Sequence, residues 1–273
     1  MKKTMTIAAL MLAFITLSAQ TDRFEQRYNL LVSKLGPAGV GVETLLDNWE
    51  QADSTNEKML SARFNYYLAK ARTSQVVKKD TRKYLGMSPL LSLKDTTGRD
   101  VYYYQEDFFD DDLYGQAIKV ADRMIGMYQD KIDYRFMKAN AYIAYEKESP
   151  DMALAYLVEL AQEDAARTRP WVFSGTGQDK SFLEDAMQEY CYTFYTIGSP
   201  QAMKAFLTLS EKMNSLHPSN VNYLNNMGSY YLVTEKNPKK ALKYYKKALK
   251  KNPDDETALK NIEVAKRMKT KKK

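Results

Sequence analysis

The sequence predicts an all-α chain, an irregular solenoid of helical hairpins carrying one small β-hairpin insertion. Three observations lead to that reading. Apolar residues recur at i, i+3, i+4 and i+7 in successive segments joined by short loops, as in Ala241, Tyr244, Tyr245 and Ala248. Gly (11) and Pro (8) are sparse in 273 residues, which disfavours sandwiches and barrels that turn every ten residues. With 44% hydrophobic and 27% charged residues, the chain can bury a core and lacks the composition of a disordered polymer.

The first segment reads as an address. Met1-Lys2-Lys3 is a basic start, Thr4 to Leu17 is an apolar run of signal-peptide length, and Leu17-Ser18-Ala19 ends it with a small residue. Cleavage after Ala19 is expected, leaving a mature chain that begins at Gln20. The run is short for a bilayer span of ~20 residues, and no Cys follows it for lipid attachment. A periplasmic or secreted, soluble product is therefore expected.

Downstream, the elements fall in order. Residues 43–72 pair Leu45, Leu46 and Trp49 with Leu60, Phe64, Tyr67 and Leu68 as a first hairpin. Asp95-Thr96-Thr97-Gly98 is a turn between Leu90–Leu93 and Val101–Tyr104, a β-hairpin within residues 89–105. Ala139, Tyr142, Ala153 and Leu157 mark a second helical hairpin, turned through Glu146-Lys147-Glu148-Ser149-Pro150. Residues 168–180, with Trp171 and Gly175-Thr176-Gly177, read as a loop. A third hairpin spans 183–216 around Gly198-Ser199-Pro200. The last is the clearest. Tyr223, Leu224, Met227, Gly228 and Tyr231 form one apolar face, Asn237-Pro238 opens the next helix, and Asn252-Pro253 closes it. A terminal helix over 255–269 caps the stack. The chain is thus divided into 1–19, 20–112, 113–217 and 218–273.

The hairpin 220–253 resembles a tetratricopeptide repeat (TPR), whose large, small and aromatic residues sit at set spacings over about 34 positions. Leu224, Met227, Gly228 and Tyr231 match its first helix; Ala241, Tyr245, Ala248 and Pro253 match its second helix and closing proline. The resemblance implies that the first helices of successive repeats line a concave groove for a protein or peptide. In the terminal unit that surface would hold Asn222, Asn225, Asn226 and Ser229, and Asn226 stands where peptide-clamping repeats use Asn.

Charge is divided along the chain. Residues 239–273 hold 14 Lys and Arg against 4 Asp and Glu, whereas residues 20–238 hold 25 against 30. Seven lysines, Lys239 to Lys251, share one helix with no acidic residue, and Lys266, Arg267, Lys269, Lys271, Lys272 and Lys273 crowd the tail. An anionic envelope surface is the expected partner of that tail. Nucleic acid is disfavoured, because arginines and exposed aromatics are not interleaved with the lysines.

No constellation suggests catalysis, and neither a cofactor nor a metal is expected. Ser174 to Ser181 lacks the Gly spacing and trailing Lys of a phosphate loop, and Gly36 to Gly41 lacks a preceding strand, reading instead as a flexible lead into the solenoid. Glu106 to Asp112 is dense in acid but has no mid-loop Gly for Ca²⁺, so it reads as a helix cap. His217 reads as a surface cap residue with no carboxylate nearby in sequence, and Cys191 as a buried, inert thiol. The expected function is a non-catalytic TPR-like scaffold for a protein or peptide, with anionic-surface binding through the tail as the alternative.

Overall fold

The computed structural model describes residues 22–173 and 182–270. The segment read as a signal peptide, the glycine-containing stretch 174–181 and the last three lysines lie outside them. The described chain runs α1 (22–35), α2 (Val42–Ala52), α3 (Glu57–Ala71), β1 (Arg72–Lys79), β2 (Leu91–Lys94), β3 (Asp100–Phe109), α4 (Asp111–Met127), α5 (Ile132–Glu146) and α6 (Asp151–Ala166). It continues through α7 (Phe182–Ile197), α8 (Pro200–Leu216), α9 (Asn222–Val233), α10 (Pro238–Lys251) and α11 (Glu256–Thr270). Among these residues no helix is long and apolar enough to cross a membrane.

Two compact units emerge. One comprises the described residues up to Gln75 together with Glu106–Ala141; the other comprises Val76–Gln105 and the described residues from Tyr142 onward. This division departs from the linear segmentation read from the sequence, because α4 returns to pack on α3.

In the first unit α2 and α3 form the expected hairpin, but its core joins Val42, Leu46 and Trp49 to Met59, Leu60 and Tyr66, with Tyr67 packed at its edge and Leu45, Phe64 and Leu68 outside that cluster. Helix α1, which was not foreseen, lays Phe24 and Tyr28 against Trp49, with ring centroids at 6.0 and 6.4 Å. The glycine-rich segment before α2 is therefore no flexible lead. It is a tight α1–α2 turn, in which Gly36 N–H bonds Val32 C=O at 2.9 Å and Gly36 and Gly41 adopt φ of +78° and +83°. Buried Arg63 is held by Asp47 (2.8 Å) and Glu50 (3.2 Å), and Glu50 also receives Arg123. The acidic run caps as expected: Asp110 accepts from Leu113 N–H at 2.9 Å, and Asp111 and Asp112 fill the first turn of α4.

The β-insertion is larger than the predicted hairpin. β2 and β3 pair antiparallel in the register Leu91↔Tyr103 and Leu93↔Val101, and β1 adds a third strand in the order β1-β3-β2. β1 escaped notice because its exposed residues, Arg-Thr-Ser-Gln-Val-Val-Lys-Lys, carry almost no apolar alternation. The turn is closed by Asp95, which accepts from the Thr97 hydroxyl (2.6 Å), Thr97 N–H (2.8 Å) and Arg99 N–H (2.9 Å), while Gly98 takes φ +83°.

In the second unit α7 packs on α8, α8 on α9, α9 on α10 and α10 on α11, a TPR-like succession of helical hairpins. The hairpin loops share a device. Lys147, Gly198 and Lys236 each adopt a left-handed φ, of +55°, +72° and +50°, two or three residues before Pro150, Pro200 and Pro238. A non-glycine residue in that region costs about 1 kcal/mol or more. That two lysines accept it at equivalent points shows both loops obeying one geometry. Caps stabilise the helix starts, each contributing about 1 kcal/mol: Ser199 for α8, Asn237 for α10 and Asp255 for α11.

Helices α9 and α10 approach closely at Gly228. A Cβ there would overlap the Tyr245 ring, which is itself wholly buried. Gly228→Ala is expected to lower stability by about 1 kcal/mol despite alanine's better helix propensity, and Gly228→Leu by about 3 kcal/mol, read by chemical denaturation. An unchanged midpoint would mean that α9 and α10 are not packed this closely.

The Asp95 turn makes a pH prediction. Hydrogen bonds, foremost that of the Thr97 hydroxyl, lower its pKa from 3.8 to about 2. A folded pKa below the unfolded one gives stability that is complete above about pH 4 and is lost as pH falls through about 2. The Asp95 carboxyl carbon is expected to titrate near pH 2 by NMR; a midpoint near 4 would show the turn open.

Candidate functional site

Helical spacing sorts the outward residues of the second unit into lines. On α7, Asp185, Glu189, Tyr192 and Thr196 are exposed at i, i+4, i+7 and i+11. On α9 the same spacing selects Asn222, Asn226, Ser229 and Val233, with Asn222 and Val233 exposed and the other two half-buried. Gln188, next to the α7 line, ties the two helices together. Asn226 Nδ2 donates to Gln188 Oε1 at 2.9 Å, and Gln188 Nε2 donates back to Asn226 Oδ1 at 3.2 Å. Ser229 meets the Tyr245 hydroxyl at 3.3 Å.

Asn225 behaves differently from its neighbour. It is buried, its Nδ2 donates to Asp255 Oδ1 at 2.9 Å, and its Oδ1 has no partner. One residue is about 100° around a helix, so Asn225 faces α11 while Asn226 faces α7. The structure therefore gathers Asn222, Asn226 and Ser229 on one line and turns Asn225 inward as an interhelix tie.

These lines run into a cleft of about 780 Å³ where the hairpin loops collect. Its lining includes Tyr192, Tyr195, Met203, Val233 and, from the segment after β1, Leu85 and Met87. The Tyr84–Met87 turn is held by a 2.8 Å bond from Met87 N–H to Tyr84 C=O, with Leu85 at φ +50° and Gly86 at +72°. Gly86 leaves no room for a Cβ against Thr196, so the turn seats directly on the end of α7. The Ser199 hydroxyl joins the floor to the α5–α6 loop by donating to Glu148 C=O. Apolar side chains dominate the lining, which also includes Arg82, Lys83 and Glu148. Sequence spacing could flag the two lines, but not the cleft, whose turn and helices are about a hundred residues apart.

Other candidate residues resolve into structure. His217 is the C-cap of α8, as expected, but only partly exposed: its Nδ1 lies 3.0 Å from Glu184 Oε1 and its Nε2 is buried without a partner among the described residues. Glu184 also accepts from Asn220 at 3.0 Å, and its main-chain carbonyl accepts the Tyr223 hydroxyl at 2.9 Å. The carboxylate was invisible in the sequence because it lies 33 residues away. Cys191 is buried against Ser210, and burial pushes its thiol up to about 12, overriding hydrogen bonds from Ser210 and Asn226. No cluster of His, Cys, Asp and Glu fit for a metal occurs among the described residues.

The basic residues also sort by partner. Lys260 and Lys266 pair with Glu256 (2.7 Å) and Glu263 (2.8 Å) within α11. Lys269 is exposed and Arg267 has an interaction within the fold; Lys271, Lys272 and Lys273 lie outside the described residues.

No family model matches the chain, and no curated protein matches it. Among solved structures the chain is similar to one described as YrrB, a TPR protein with an unusual peptide-binding site. The identity is 17% over 87% of this chain and 89% of that one, at a TM-score of 0.36.

The thiol supplies the prediction here. Folded chain at neutral pH is expected to leave Cys191 unlabelled by a maleimide, with full labelling once denatured, because only the thiolate reacts readily and the site is closed. Rapid labelling of the folded chain would place the thiol in solvent.

Proposed function

We propose that the chain is a non-catalytic, exported scaffold that holds a protein or peptide on the outward lines of α7 and α9, with an apolar side chain of the partner seated in the adjoining cleft. The observation that carries this reading is Tyr192, a large aromatic 61% exposed at the point where the line on α7 enters the cleft. Tyrosine offers an apolar ring and a polar tip at low entropic cost, the character of a binding anchor. Around it, Asp185 and Glu189 supply negative charge, and Asn222 supplies exposed amide donors and acceptors for an extended backbone. Asn226 and Ser229 are already engaged with Gln188 and Tyr245, so they shape the floor and a partner must compete for them. Export is supported by the basic start, apolar run and small residues of 1–19; a periplasmic or secreted location follows from that reading.

The test is retention of a discrete protein partner by immobilised chain, compared with Tyr192→Ala. Loss of a central anchor typically costs ~2 kcal/mol or more, roughly 30-fold in affinity. The variant is expected to lose at least ten-fold in retention with an unchanged melting temperature. Equal retention by both proteins would refute the assignment of this face.

A further inference from the structure

Helix α10 carries seven lysines and no acidic residue. They fall into two stripes with different fates. Lys240 sits 3.8 Å from the centroid of the Tyr231 ring, Lys247 5.4 Å from that of Tyr244, and Lys251 donates to Pro218 C=O at 2.6 Å. Those three ammoniums are engaged inside the fold. The other four, Lys239, Lys243, Lys246 and Lys250, recur at i, i+4, i+7 and i+11 and are all exposed. None has an ion pair, hydrogen bond or ring contact among the described residues.

That second stripe lies about half a turn from the buried line Ala241, Tyr245 and Ala248, so it points directly away from the core. It extends over about 16 Å of helix. Like charges at i, i+3 and i+4 destabilise a helix, so local stability does not account for the stripe. α11 shows the contrast, with its lysines relieved by Glu256 and Glu263 one turn away.

We propose that the outward stripe of α10 docks the chain, independently of the α7–α9 face, on the anionic headgroup layer of a lipid bilayer. The chemistry of the stripe selects that occupant. Lysine is a compact, strongly hydrated point charge without the planar fork that arginine offers to a phosphodiester or carboxylate pair. No exposed large hydrophobic residue lies on α10 to stack a base. The stripe stands on the outward side of a single helix, and the cleft described above does not include α10, so it offers no groove to a peptide. What remains is a row of mobile cations fitted to a surface that supplies dense negative charge without fixed shape.

The test uses full-length chain and sedimentation with vesicles of equal parts phosphatidylcholine and phosphatidylglycerol, against phosphatidylcholine alone. The neutral vesicles read any contribution from the apolar residues of 1–19. At about 0.01 M salt, where the Debye length is about 30 Å, charge-dependent binding is expected; at about 1 M, where it is about 3 Å, it should vanish. The triple variant Lys243→Gln, Lys246→Gln, Lys250→Gln is expected to bind anionic vesicles on the order of 100-fold more weakly, about five-fold per charge, with an equal or higher melting temperature. A second variant, Lys269→Gln lacking residues 271–273, is expected to lose far less. Failure of the wild type to prefer anionic vesicles at low salt would overturn the proposal, as would binding by the triple variant equal to wild type. Tighter binding of duplex DNA or poly-glutamate through the same three lysines would overturn the lipid assignment.

Discussion

The second unit depends on how closely two helices approach at Gly228. With no side chain there, the Tyr245 ring lies against the α9 backbone and is wholly buried. The consequences spread outward from that contact. Ala241 and Ala248, on the same stripe as Tyr245, bring α10 close along its length, and Ala258, Ile262 and Ala265 of α11 close the exposed side of the cluster. The apolar side of α10 is thereby consumed, and its lysines are confined to the surface. An amphipathic helix packed this tightly can present only its polar half.

Polar ties then set how one hairpin sits on the next. Gln188 and Asn226 exchange two hydrogen bonds, Asn225 reaches Asp255, and Glu184 gathers Asn220, His217 and Tyr223. Each tie joins residues 30 or more positions apart in sequence and satisfies groups that would be costly to bury alone. Apolar stripes tolerate small slips between helices, whereas a paired amide does not. Packing therefore supplies the attraction in this unit, and the hydrogen bonds select one register from several.

The same arrangement leaves two surfaces of opposite character. The outward line of α7 is acidic and aromatic, ending at Tyr192 and the cleft; the outward stripe of α10 is wholly cationic. Neither is needed to hold the fold together. Tyr192 is exposed where Phe194, two residues on, is buried, and Lys243 has no partner among the described residues where Lys240 has a tyrosine ring. Surfaces that stability does not explain are the natural place to look for binding.

Much of this was legible beforehand, and the reason is periodicity. A buried stripe repeats every 3.6 residues whatever it packs against, so the hairpins at 43–72, 183–216 and 220–253 could be read from their apolar and aromatic positions and the Gly and Pro between them. The echo between Glu146-Lys147 and Glu235-Lys236 likewise survived as a shared left-handed turn. Strand β1 was not legible because its mostly exposed residues scarcely alternate, and helix α1 because its stripe of Phe24, Tyr28 and Leu31 is short and only partly buried. The sequence by itself determined most of the helices, their apolar faces, the β-turn at Asp95 and the excess of lysine near the C-terminus. Only the tertiary structure decided which polar residues are spent and which remain. Asn225 and Asn226 are identical side chains one position apart, yet one is buried on Asp255 and the other pairs with Gln188. Lys240 and Lys243 differ as little, and only one finds a ring. Local pattern fixes the direction in which a side chain leaves its helix, but its partner arrives from a distant part of the chain, and that meeting is created by packing alone.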